Sequence, residues 1–185
     1  MKVAITGHST GIGKSLYEIL KLSDYEVVGF SRSNGWDFCQ TATRTKFFNT
    51  IVADKFDCFV NNAYPYSKVK TFEGFLQVEL LNNVWLLWQN QNKQIINISS
   101  ISSEVVKKFY HPYSIHKKAL DDTVRQLRNI SINPHIINIR PGYVDTPSVK
   151  TITNVKKCQP DEVALLIQHA MEHPLRILDL SFDAR

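Results

Sequence analysis

Cysteine is sparse in this chain of 185 residues, and its three copies, Cys39, Cys58 and Cys158, show no CxxC spacing. An odd, scattered set in a chain long enough to build a real core excludes a disulfide scaffold. It points to a reducing compartment, with the cytoplasm as the expected location. Long apolar runs are missing too. The hydrophobic stretches are strand-length and broken by polar residues, so no membrane association is expected. The opening MKVAITG reads as a first strand rather than a leader. Clustered charge is also absent. The formal net charge is +5, but tight basic pairs occur only at Lys107 with Lys108, Lys117 with Lys118 and Lys156 with Lys157, which argues against a nucleic-acid partner. The six histidines form no HExxH or similar spacing, so no metal site is expected.

What the chain does have is alternation between short apolar runs and helical segments. Residues 2–6, 26–30, 57–60, 95–98, 135–139 and 177–180 read as strands, with a very short further one at 36–38. Between them, 15–22, 40–53, 72–91, 113–128 and 160–173 carry apolar residues at helical spacing. This order predicts an α/β fold, Rossmann-like, with a doubly wound parallel sheet of about seven strands and helices on both faces. Residues 1–185 are expected to form a single domain, with ligands beyond the carboxyl ends of the strands. Trp85 and Trp88 in the 72–91 helix serve either core or interface packing.

The stretch Thr6-Gly7-His8-Ser9-Thr10-Gly11-Ile12-Gly13 follows the first strand and opens the first helix. Gly7 permits a tight turn, Gly11 lets the backbone approach a pyrophosphate, and Gly13 lets the helix pack close to the sheet. The helix N-terminus then offers free N–H groups to phosphate, and Ser9, Thr10 and Ile12 complete the turn. A P-loop is excluded because no GK[ST] closes the required spacing. The second strand ends in Phe30-Ser31-Arg32, with no carboxylate to accept ribose hydroxyls or to repel a 2′-phosphate. Arg32 can pair with that phosphate, which predicts NADP(H) in preference to NAD(H). The alternative is a solvent-exposed turn arginine.

Tyr113 and Lys117 are four apart, one helical turn on the same face. A tyrosine hydroxyl can donate a proton to a carbonyl oxygen as hydride arrives, and a nearby ammonium favours its phenolate in the reverse direction. Ser99 and Ser100 end the 95–98 strand, where a hydroxyl can orient a substrate oxygen; no GxSxG elbow supports a serine nucleophile. His116, between the two candidate residues, reads as surface or packing.

In these motifs the chain resembles the classical short-chain dehydrogenase/reductase family, in an unusually short form. TGHSTGIG matches the family's TGxxxGIG, and Asn61-Asn62-Ala63 matches most of NNAG. Ser100 stands thirteen residues before Tyr113, YSIHK matches YxxxK, and Arg140-Pro141-Gly142-Tyr143-Val144-Asp145-Thr146 matches the segment after the sixth strand. The resemblance implies hydride transfer between NADP(H) and a small carbonyl or alcohol, with Tyr113 as general acid/base. Lys117 would hold the nicotinamide ribose and Ser100 would position the substrate oxygen. The family's active-site asparagine falls in the 72–91 helix, where Asn82 and Asn83 compete and Asn83-Val84 fits the local pattern better. By the same resemblance Asn61 supports the central strand, Asn62 and Ala63 line the cofactor site, and Asp37 and Phe38 flank adenine. Pro141, Gly142, Val144 and Thr146 lie along the cofactor, and a homodimer or homotetramer would form through the helices at 72–91 and 113–128. Two alternatives remain: a nucleotide-binding regulator or redox sensor with little turnover, and a nucleotide-sugar epimerase-like enzyme. Tyr64 departs from the pattern by replacing the last glycine of NNAG, placing a ring beside the pocket or forcing a backbone adjustment. The short segments after the second and sixth strands depart as well.

Overall fold

The central strands are buried on both faces, and successive side chains point to opposite helix layers. The computed structural model describes residues 1–68, 70–105 and 111–184, so Lys107 and Lys108 lie outside the described residues. Among the described residues β1 (Lys2–Thr6), β2 (Glu26–Phe30), β3 (Cys58–Asn61), β4 (Gln94–Ile98), β5 (His135–Pro141) and β6 (Asp179–Phe182) form one parallel sheet in the order β2-β1-β3-β4-β5-β6. Val3, Ile5, Val60, Ile96 and Ile137 face α1 (Gly11–Leu22) and α5 (Pro160–Glu172). Ala4, Phe59, Ile95 and Ile136 face the opposite layer, made by α2 (Thr41–Ala53), α3 (Leu76–Trp88) and α4 (Pro112–Ile130). Period-two alternation thus gives two cores, one on each side of the sheet. Trp85 and Trp88 are both buried in the second core, so they serve internal packing.

The sheet has six strands instead of about seven. Residues 36–38 do not pair. The chain leaves β2 through a 3-10 turn at Arg32–Asn34, in which Ser31 and Asn34 cap each other and Gly35 adopts φ +88°. This reversal carries Phe38 into the aromatic core, its ring 5.2 Å from that of Phe47. Hydrophobic burial in a helix layer replaces edge pairing. At the other end, β5 continues through Arg140 and Pro141 because β6, which starts at Asp179 rather than 177, pairs with both. The expected helix at 72–91 opens as a 3-10 turn, Phe72–Phe75, before α3 begins.

Polar side chains cross the second core in register. Asn61, Asn97 and Asn138 are laterally paired on β3, β4 and β5. Asn61 Nδ2 donates to Asn97 Oδ1 (3.0 Å), Asn97 Nδ2 to Asn138 Oδ1 (2.8 Å), and Asn138 Nδ2 to Asp121 Oδ1 on α4 (2.9 Å). Each amide is fully enclosed, so each bond lost leaves an orphaned polar group. We expect Asn97→Ala to lower the unfolding free energy by about 1–3 kcal/mol or more. Urea unfolding monitored by circular dichroism checks this, and a variant as stable as the parent would show that the ladder contributes nothing.

Candidate active site

The strand order reverses between β1 and its two neighbours, and a cleft of about 560 Å³ opens there, at the carboxyl ends of the strands. One end is built by the glycine turn. Gly7 takes φ +71° while its N–H donates to Phe30 O (2.7 Å), which turns the chain off β1. A Cβ on Gly11 would lie 2.8 Å from Thr146 Cγ2, and one on Gly13 would collide with the Gly7 carbonyl oxygen. Both sites therefore exclude a side chain. The N-cap of α1, Thr10, makes no side-chain cap, so the first N–H groups of the helix remain open beside the turn. Asn62 stitches the end of β1 to β3, donating through Nδ2 to the Thr6 carbonyl (3.0 Å), while Thr6 Oγ1 accepts from the backbone N–H groups of Asn62 and Ala63.

Arg32 stands exposed on the cleft wall and has no ion-pair partner among the described residues, and no carboxylate ends β2. Asp37 and Phe38 line the same end, and Pro141, Gly142, Val144 and Thr146 line the side formed after β5. Ser99, also in the lining, is buried and its hydroxyl has no protein partner among the described residues. A turn whose glycines exclude side chains, an uncapped helix start, a free arginine and an orphaned hydroxyl together fit a phosphate-bearing dinucleotide.

The other end carries the titratable groups. Lys117, only 3% exposed, donates through Nζ to Gln77 Oε1 (2.6 Å) and to the Ile98 carbonyl (2.8 Å), both uncharged. Burial pulls its pKa from 10.5 down to about 7, against a weaker upward pull from Asp121. Tyr113 is moved the other way, well above its ordinary value, chiefly by burial and by neighbouring Tyr66, with Ser100 opposing. The tyrosine therefore stays protonated in this cleft. Ser100 is buried at the end of β4, where its oxygen accepts from the Ser102 N–H (3.1 Å).

Most expected site residues converge on this cleft, with three exceptions. Gly13 and Asn61 stand behind its wall, the one packing helix on turn and the other in the asparagine ladder. Asn83 lies on α3 away from the cleft, its amide donating to the Glu79 carbonyl of its own helix (2.9 Å), and Asn82 is exposed. The α3 residue that reaches Lys117 is Gln77, two turns earlier. Its Nε2 donates to the carbonyls of Asn61 (2.8 Å) and Ile98 (3.1 Å). Its signal in the sequence is a glutamine near the start of an otherwise apolar helix, and its reach to Lys117 depends on the packing of α3 against α4. His116 is buried packing, and it also hydrogen-bonds Tyr64. Tyr64 places its ring beside the cleft without a left-handed backbone.

Among the described residues no group of three His, Cys, Asp or Glu side chains is placed to hold a metal, and no helix is long and apolar enough to cross a membrane. The chain has a Rossmann-like α/β fold. It is similar to the 3-alpha-hydroxysteroid dehydrogenase from Pseudomonas sp. B-0831 complexed with NADH, at 18% identity and TM-score 0.81 over 99% of this chain and 95% of that one. An alcohol dehydrogenase from the archaeon Thermococcus sibiricus complexed with 5-hydroxy-NADP is 19% identical, with TM-score 0.81 over 98% and 96% of the two chains. Ribose-5-phosphate isomerase from Brucella melitensis 16M is 17% identical, with TM-score 0.77 over 99% and 90%. No family model and no curated protein matches the chain. At these identities the likeness is one of fold, and an isomerase shares it, so the reaction has to be argued from the cleft.

The depressed Lys117 pKa has a measurable consequence. Between its folded value of about 7 and the unfolded value of 10.5, the folded chain holds fewer protons at this site, so its contribution to stability rises with pH across that window. We expect the stability of Lys117→Met relative to the parent to fall steadily as pH rises from about 6 to about 9. Thermal midpoints of both proteins over that range give the test, and parallel curves would refute it.

Proposed function

We propose that this chain is an oxidoreductase of the short-chain dehydrogenase/reductase type, moving a hydride between NADP(H) and a carbonyl or alcohol. The observation that carries the reading is the convergence of Tyr113, Lys117 and Ser100 at one end of a cleft whose other end is a glycine turn beside Arg32. Bound NADPH would supply the hydride. The N-terminus of α1 and the glycine turn would hold its pyrophosphate, and Arg32 its 2′-phosphate. In the reducing direction Ser100 orients the carbonyl oxygen and Tyr113 gives it a proton. Burial holds Tyr113 in its protonated form, and the ammonium of Lys117 would help stabilise the phenolate that donation leaves. Lys117, fixed by Gln77 and the Ile98 carbonyl, keeps positive charge near the phenolate that proton donation leaves. Pairing of copies through α3 and α4 would cover Leu86, Leu87 and Ile115, which are exposed.

Cofactor preference is tested by titrating NADPH and NADH by fluorescence. NADPH is expected to bind about tenfold or more tightly, with Arg32→Ala removing most of the difference, since hydrogen bonds between charged groups contribute about 1.5–3 kcal/mol. Equal affinities in the parent would sink the preference. The acid/base role is tested by single-turnover hydride transfer in cofactor-saturated Tyr113→Phe. The rate should fall by about 10²–10⁴-fold with the fold intact, and an unchanged, chemistry-limited rate would remove Tyr113 from the mechanism.

A further inference from the structure

Three tyrosine rings meet where the carbonyl must sit. Tyr64 stands edge-on to Tyr113, with ring centres 5.1 Å apart and planes at 88°, and touches Tyr66 at 4.8 Å. Tyr66 lies nearly parallel to Tyr113, at 5.9 Å and 18°, and is 52% exposed. Lys117 Nζ sits 5.0 Å from the centre of the Tyr64 ring. All three tyrosines line the cleft.

Tyr64 is held in place. Its hydroxyl is 2.8 Å from Nδ1 of His116, which is only 6% exposed. The histidine occupies a fitted slot: the Phe75 ring packs against it at 4.4 Å, and a Cβ on Gly74 would overlap its ring. Burial and the adjacent Lys117 lower the His116 pKa, which keeps the ring neutral and able to pair with a phenol hydroxyl. Glycine at 74, histidine at 116 and tyrosine at 64 therefore act as one unit that fixes the Tyr64 ring.

A carbonyl oxygen within reach of Tyr113 and Ser100 places whatever the carbonyl carries against Tyr64 and Tyr66. The chain after β5 lines the opposite side with Gly142, Val144, Thr146 and the short turn Pro147–Val149, none of them aromatic, so the aromatic surface comes from the tyrosines. Fixed aromatic walls favour flat π-systems, by stacked and edge-to-face contact, over puckered saturated groups. We propose that Tyr64 and Tyr66 determine specificity for a planar conjugated carbonyl, such as an aryl ketone or aldehyde, with His116 as the positioning residue for Tyr64. This rests on the oxidoreductase reading above.

Acetophenone and cyclohexyl methyl ketone carry the same carbonyl on six-membered rings, one flat and one puckered. Binding of each to the NADPH-loaded protein is measured by quenching of cofactor fluorescence, and KM and kcat by NADPH oxidation. Acetophenone should bind more tightly by a factor of about 2–12, with the ratio falling towards one in Tyr66→Leu and in Tyr64→Leu. Tyr66 is half exposed, so its variant carries the test if Tyr64→Leu does not fold. His116→Phe, which keeps a ring but loses the hydrogen bond, should raise KM for acetophenone with little change in kcat, and His116→Gln should restore part of the loss. Equal binding of the two ketones, or a preference that survives both leucine variants, overturns the proposal. Tyr66-dependent preference for the aryl ketone without NADPH oxidation would uphold the aromatic wall and overturn only the oxidoreductase reading.

Discussion

A buried ammonium without a carboxylate beside it must be held by dipoles, and the arrangement of this cleft follows from that requirement. Lys117 has two such partners, the side-chain oxygen of Gln77 and the carbonyl of Ile98. Gln77 is itself fixed because its amide donates to the Asn61 and Ile98 carbonyls, and the Asn61 side chain donates to the Gln77 carbonyl (2.8 Å). Asn61 begins the ladder that runs through Asn97 and Asn138 to Asp121. Placement of one amine thus depends on polar bonds spanning three strands and two helices. In a low-dielectric interior such bonds are strong when complete and costly when broken.

The same burial moves two groups in opposite directions. It pulls the lysine towards its neutral form and keeps the tyrosine protonated. Both shifts favour the uncharged species, as desolvation requires. Positive charge beside the phenol would oppose the upward shift of Tyr113 by stabilising the phenolate.

Two local features of the chain make sense only together. A tyrosine at 64 next to paired asparagines, and a histidine just before Lys117, are 52 positions apart and share a hydrogen bond. Gly74 supplies the space that the histidine ring fills. Read one residue at a time, His116 is a packing residue and Tyr64 an obstruction. Their contact makes them a single wall beside Tyr113.

Short-range pattern determined much of this protein. Short continuous apolar runs and helical periodicity located the strands and helices, because strands covered on both faces are apolar throughout and side-chain direction on a helix follows local backbone geometry. Glycines at the turn and the Tyr113–Lys117 spacing were legible for the same reason: each depends on residues within about one helical turn of one another. Tertiary structure decided what distant segments do to each other. It sent Phe38 into the aromatic core instead of a seventh strand, and it brought Gln77 to Lys117 while leaving Asn83 on its own helix. It also joined Tyr64 to His116. Those outcomes depend on which atoms meet across the sheet and between helix layers, a matter of three-dimensional packing that no linear spacing encodes.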